Sequence, residues 1–237
     1  RDGRVRVRVG AARALQGQAL DAADAVPRLA PALSDPERAV RHEVLGVINS
    51  WPQGSHLAHD LVLPLLADPD AEVRAEAILG LGRMAARVEG VALAVAARLT
   101  DPDPGVRLSA AQVLDHLGPK AEPAGEAILQ ALADPDRNVR YYAVRMASQQ
   151  PALRSRARAT FAELLADEHD SIRRQAALAL GLLGSDGAPA VPGLILLLGD
   201  RDEDVREEAA RALGAIGPEH AGTARPALEG LLADERV

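Results

Sequence analysis

Apolar residues recur along this chain in a two-part pattern that repeats every 33 residues. In the first part Leu33, Leu66, Leu99, Leu132, Leu165, Leu198 and Leu232 each follow, four positions on, Leu29, Val62, Val95, Ile128, Phe161, Leu194 and Leu228. A spacing of four places both residues on one face of a helix, here called helix A. Two residues after each leucine stands an aspartate, and five and six residues after that an aliphatic residue and an arginine. The series runs Asp2 with Val7-Arg8, Asp35 with Val40-Arg41, Asp68 with Val73-Arg74, Asp101 with Val106-Arg107, Asp134 with Val139-Arg140, Asp167 with Ile172-Arg173 and Asp200 with Val205-Arg206. Asp234 arrives one residue late.

The arginine opens the second part. One before it and three, four and seven after it lie apolar or small residues, such as Val73, Ala77, Ile78 and Leu81, or Val205, Ala209, Ala210 and Leu213. This is a second helical face, helix B, whose alanines let neighbours approach closely. Asp-Pro is expected to start helix B, with Asp accepting first-turn amides and Pro at the first helical position. Leu117-Gly118-Pro119 and Ile216-Gly217-Pro218 are expected to stop it.

Self-similarity at such a period predicts units that bury their apolar faces only against their neighbours. The expected fold is all-α: an α-solenoid of stacked antiparallel helix pairs, one array across residues 1–237. The chain begins inside a repeat and ends as another opens, and neither end reads as a polar cap, so an excerpt of a longer array is expected. Asp and Arg six residues apart are separated by about 600° of helical rotation and do not face each other on one helix. Each Arg is therefore expected to reach the Asp of an adjacent unit, in a ladder of Asp35, Arg41, Asp68, Arg74, Asp101, Arg107, Asp134, Arg140, Asp167, Arg173, Asp200 and Arg206.

Composition narrows the function. Aromatic residues are only 2% of 237, so the core is built from Ala, Leu and Val. A net charge of −7 disfavours a nucleic-acid partner. With no cysteine, disulfides, zinc-thiolate sites and a Cys nucleophile are excluded. No apolar run reaches the roughly 20 residues of a membrane helix, and no signal-peptide pattern opens the chain. A cytoplasmic protein without a membrane partner is expected. The single lysine, Lys120, among many arginines points to a GC-rich bacterial genome.

The Asp, the Val-Arg five and six residues later, and the run Val205-Arg206-Glu207-Glu208-Ala209-Ala210-Arg211-Ala212-Leu213-Gly214-Ala215-Ile216-Gly217 resemble HEAT repeats, in particular the short type of phycobilin-lyase subunits. Pro27, Pro192 and Pro226, eight before their Asp, match the helix A proline of that family. The unit from Asp134 departs most, with Ala147-Ser148-Gln149-Gln150-Pro151 in place of Leu-Gly, where a kink or local loosening is expected. The resemblance implies that helix B lines a concave face. The positions one, two, five and nine after each Arg would then be presented there: His42, Glu43, Glu76, Arg83, Gln112, His116, Tyr141, Tyr142, Arg145, Gln149, Arg174, Gln175, Glu207, Glu208 and Arg211.

Tyr141, Tyr142, Arg145, Arg174, His116, Gln112 and Gln149 are the expected partner-binding residues, since Tyr and Arg dominate interface energetics. His42-Glu43 resembles the iron-binding pairs of deoxyhypusine hydroxylase, a HEAT-repeat enzyme. The equivalent positions in the other units supply no second His, so no metal is assigned. His56 and His59 with Asp60 read as a solvated face. Gly80-Leu81-Gly82-Arg83-Met84-Ala85 lacks the preceding strand of a dinucleotide site and reads as close packing. Trp51 reads as core closing the end of a helix. No catalytic residue and no cofactor are assigned. The expected function is a non-catalytic protein–protein interaction scaffold, its partner another protein or another domain of a longer chain. The alternatives are an enzyme or enzyme subunit, such as a bilin lyase partner or a hydroxylase, and a DNA-repair protein.

Overall fold

The computed structural model describes residues 2–16, 22–50, 58–85 and 87–232, and among them every regular element is a helix. Two compact units, Arg1–Ala124 and Gly125–Val237, divide the chain. In the first, α1 (Asp2–Gln16) is a helix B. Then come α2 (Ala22–Leu29) with a 3-10 turn Ala30–Ser34, α3 (Arg38–Ser50), α4 (His59–Val62) with a 3-10 turn Leu63–Ala67, and α5 (Ala71–Met84). The unit continues with α6 (Val91–Ala96), the 3-10 turn Ala97–Thr100, α7 (Pro104–Leu117) and a 3-10 segment Gly118–Ala124. In the second, α9 (Arg137–Gln149), α12 (Asp170–Gly181) and α14 (Glu203–Ile216) are B helices. Around them lie α8 (Gly125–Ala131), α10 (Pro151–Arg156), α11 (Arg158–Leu164), α13 (Val191–Leu197), α15 (Pro218–Ala221) and α16 (Arg225–Leu232).

Helix B is a continuous α-helix, whereas helix A is assembled from short pieces. Proline explains part of this. Pro31 and Pro64 stand in the first turn of their 3-10 segments, where a residue without an amide hydrogen cannot continue the i→i−4 ladder. The tighter turn ends with the repeated aspartate's amide donating three residues back, as from Asp68 to the Leu65 carbonyl at 3.1 Å and from Asp101 to the Arg98 carbonyl at 3.1 Å.

The start of helix B corrects the sequence reading. Asp68 is not its N-cap: Asp70 is, accepting from the Glu72 and Val73 amides, and Asp103 and Asp136 cap α7 and α9 in the same way. The repeated Asp closes a turn before the cap, Asp68 Oδ1 accepting the Asp70 amide at 2.9 Å. The proline of Asp-Pro-Asp therefore lies before the helix in these units. In α12 His169 occupies the cap position without a side-chain bond. The glycine stops are present, Gly118 at φ 55° and Gly217 at φ 104°, a region that an L side chain rarely enters. In the divergent unit α9 runs to Gln149, Gln150 is extended at φ −103° and ψ 111°, and Pro151 opens α10, with Ala147 and Ser148 buried.

Core positions follow the 33-residue pattern. Leu33 through Leu198 and Leu29 through Leu194 are buried in each described repeat, as are the helix B positions from Val40 to Val205. The terminal positions differ. Leu232 is 90% exposed and Val7 71% exposed. Elsewhere a following helix B covers the leucine and a preceding helix A covers the valine, and among the described residues neither flanks these two. B helices pack on one another, α1 on α3, α3 on α5 and α5 on α7 in the first unit, α9 on α12 and α12 on α14 in the second. Glycine sets the closest approaches. A Cβ on Gly181 would sit 2.9 Å from Ala212 Cα, and one on Gly82 would meet Val113 Cγ1 at 2.8 Å, so the glycines of Gly80-Leu81-Gly82 serve packing.

Candidate functional site

Two kinds of polar structure cross from one helix B to the next. The first is a set of buried rungs 27 residues apart. Arg41 donates from Nε and Nη2 to the two carboxylate oxygens of Asp68, both at 2.7 Å, and from Nη1 to the Asp35 carbonyl at 2.8 Å. Arg74 repeats this with Asp101, Arg140 with Asp167 and Arg173 with Asp200. Each guanidinium thus ties the end of its own helix A to the aspartate of the next repeat. Arg8 reaches Asp35 likewise at 3.0 Å but is 40% exposed. Arg107 donates to the Asp101 carbonyl and Arg206 to the Asp200 carbonyl. Asp134 Oδ1 accepts the Asp136 amide at 2.8 Å.

Burial alone would raise the pKa of Asp68, Asp101 and Asp200. The arginine hydrogen bonds, the backbone amide and the nearby positive charges outweigh it and hold all three below the usual aspartate value. Further along the same helices a second polar link recurs at the same offset. Asn49 donates to the Glu76 carbonyl and carboxylate at 3.0 and 2.7 Å, and Gln175 donates to Ser148 Oγ at 3.4 Å. Gln175 is therefore a correction: read as surface, it is buried against the small Ser148.

The helix B face of the second unit carries the aromatic cluster. Tyr141 and Tyr142 of α9 meet edge to face, ring centroids 5.5 Å apart at 73°, and the Arg145 guanidinium lies 5.9 Å from the Tyr142 centroid. Tyr141 lines a cavity of about 410 Å³ with Arg137, Asn138, His169, Asp170, Ser171, Arg174, Asp202 and Asp204. Arg174 and Asp204, joined at 2.6 Å, also border a neighbouring cavity of about 270 Å³ lined by Gln175, Leu178, Glu207, Glu208 and Arg211. Across the two, five carboxylates stand against three guanidiniums. Burial pushes the Glu208 carboxyl above its usual value, with Glu207 adding to the rise and Arg211 and Arg174 opposing it. Gln149 is exposed at the end of α9.

Gln112 and His116 lie exposed on α7, in the first unit. Asp170, Asp202, Asp204 and His169 were missed by sequence reasoning, which singled out only the repeated Asp ahead of helix B. Their signal would have been the clustering of three helix B starts around Tyr141. A further cavity, about 660 Å³, lies in the first unit, lined among others by Ala85, Val88, Val91, Leu117, Lys120 and Pro123.

His42 is exposed and Glu43 is paired with Arg13 at 2.9 Å. His59 contacts Asp60 at 3.0 Å, while His56 and Trp51 fall outside the described residues. No group of three His, Cys, Asp or Glu side chains among the described residues is arranged to hold a metal. None of the described helices is long and apolar enough to cross a membrane.

Helix pairs that repeat every 33 residues, joined by the same Arg–Asp rung, define an all-α solenoid. Comparison with known families agrees: HEAT repeats match residues 59–124 and 125–191, a HEAT-like repeat residues 170–216, and the PBS lyase HEAT-like repeat residues 205–234. The chain belongs to the HEAT-repeat family. No curated protein matches it. Similar solved structures include an engineered protein, Northeast Structural Genomics Consortium target OR329, with 23% identity, 81% of this chain and 96% of that chain covered, and a TM-score of 0.57. A designed armadillo repeat protein in complex with peptide (KR)4 aligns at 18% identity, 81% and 99% coverage and TM-score 0.63. Computationally designed armadillo repeat proteins for modular peptide recognition give 18%, 81% and 100%, and 0.65. At these identities the likeness shows the fold.

Proposed function

We propose that the protein is a non-catalytic scaffold, one repeat array through residues 1–237, that holds another protein, or another domain of a longer chain, on its helix B face. The observation that carries this reading is the cluster of Tyr141, Tyr142 and Arg145 beside a cavity bordered by Arg174. Tyr and Arg are enriched among the residues that anchor interfaces, where they combine large contact area with hydrogen bonding. These are the only two tyrosines in the chain, and they fall together on one helix face. The cytoplasm is the proposed location; Gln149 extends the contact surface of the second unit, and Gln112 with His116 is proposed as a contact patch of the first. Designed armadillo proteins of similar fold that recognise peptides lend support.

Capture of partners from native extract, with identification of what co-purifies, tests the reading. A Tyr142→Ala, Arg145→Ala double variant is expected to keep the helical circular dichroism spectrum and to lose about 10-fold or more of the captured partner. Unchanged capture would move the interface away from this face.

A further inference from the structure

The two cavities on the second unit share a wall, the Arg174–Asp204 ion pair that bridges α12 and α14. The guanidiniums near this wall are occupied: Arg174 is held by Asp204 at 2.6 Å and Arg211 by Glu207 at 3.0 Å. Glu208, between them on α14 and only partly exposed, has no hydrogen bond or close ion pair among the described residues. A partly desolvated carboxylate whose neighbouring cations are already committed lacks a donor, and a cation brought in from outside would supply it. The second cavity is lined by Tyr141 together with Asp170, Asp202 and Asp204, three carboxylates against the guanidiniums of Arg137 and Arg174. An aromatic face next to carboxylates suits an alkyl-guanidinium or alkyl-ammonium side chain, whose stem packs on the ring while its head meets the charge.

We propose that this groove binds an extended segment of a partner protein through arginine or lysine side chains, with Glu208 the acceptor of one and the Tyr141–Asp170 cavity the seat of another. This rests on the scaffold reading above and names the partner's chemistry. Charge complementarity favours a basic segment, since the carboxylates lining the groove outnumber the guanidiniums, and the chain as a whole carries −7.

Fluorescence anisotropy with three labelled decapeptides tests it: alternating Arg-Ser, alternating Gln-Ser and alternating Glu-Ser. The Arg-Ser peptide is expected to bind, with affinity falling as salt rises. Glu208→Gln, which keeps the side chain's shape, is expected to weaken it about 10-fold. Glu163→Gln, which removes an equal charge from the exposed surface of α11, is expected to change nothing. Equal losses in both variants would reduce the effect to net charge and overturn the site. Binding of the Gln-Ser or Glu-Ser peptide that is as tight, and is lost in Tyr142→Ala, Arg145→Ala, would overturn the basic preference while leaving the scaffold reading standing. If none of the three binds, the basic groove is overturned, and capture from extract alone decides the scaffold.

Discussion

Arg173 and Arg174 are neighbours on α12, each bonded to an aspartate of the next repeat, and they do different work. Arg173 meets Asp200 at 2.7 and 2.8 Å with both side chains 9% exposed, and its third nitrogen donates to the Asp167 and Glu168 carbonyls. Arg174 meets Asp204 at 2.6 Å, with side chains 47% and 65% exposed and no further bond shown. The shorter pair is the weaker one. In water a charge pair exchanges one set of good interactions for another, whereas inside the stack it bonds groups that have lost most of their hydration. Distance alone therefore ranks these contacts wrongly, and burial with the count of bonded atoms ranks them properly.

Arg173→Ala breaks the buried member outright. It takes both guanidinium bonds from the Asp200 carboxylate, leaving it the Asp202 amide, and removes the donor to two carbonyls, so a loss of about 3–5 kcal/mol is expected. Urea denaturation followed by circular dichroism measures it. A change below about 1 kcal/mol would mean that water enters the rung and solvates Asp200. Replacing both partners by well-packed apolar residues would cost far less, which is why the rung is better understood as setting the register of neighbouring repeats than as a net source of stability.

Acid breaks the same rungs more gently. Asp68, Asp101 and Asp200 have folded pKa values held below the ordinary value, their arginine bonds overcoming burial. Such groups stabilise the fold fully above the unfolded value of about 4, and that contribution disappears as pH falls through the folded values. The urea midpoint is therefore expected to hold steady in this respect down to about pH 5 and then to fall. In Arg173→Ala the Asp200 carboxyl loses the guanidinium bonds that lower its pKa and keeps only the Asp202 amide and the Arg201 charge, so it has less stability to lose to acid. The stability gap between the two proteins should narrow on acidification. A gap that stays constant from neutral pH to about pH 3 would show that Asp200 does not carry the effect.

Much of this architecture was legible in the residues, for physical reasons that also explain what was not. Leu198 and Leu194 could be assigned to one buried face because helical geometry converts a spacing of four into a direction. The N-cap could not, because Asp-Pro-Asp offers two acceptors ahead of helix B. The choice is made by Arg41, which takes both oxygens of Asp68 and leaves Asp70 to cap. Gln175 misled for a related reason: its equivalents in the neighbouring repeats, Tyr142 and Glu208, are half-buried, whereas Gln175 is buried and bonds the small Ser148. The groove itself joins Tyr141, Asp170 and Asp204 from three different helices. No period within one helix announces such a meeting; only the stacking of the helices creates it.

The smallest expected effect on stability belongs to the exposed member. Arg174→Ala removes one charge-assisted bond between solvated groups, and the Asp204 carboxylate it leaves behind returns to water. The expected cost is about 0–1 kcal/mol, within the range where side-chain entropy released on truncation offsets the lost attraction. That same truncation opens the wall between the two cavities and leaves Asp204 without its guanidinium. A basic peptide should then find one more unpaired acceptor and bind as well as before or somewhat better, even though an arginine of the expected contact surface has been removed. If Arg174 instead touches the partner directly, through an acidic or carbonyl group, the same variant loses affinity at unchanged stability. Anisotropy and urea denaturation on this one protein thus separate an arginine that shapes the groove from one that grips the ligand, while Arg173→Ala beside it shows what the fold requires.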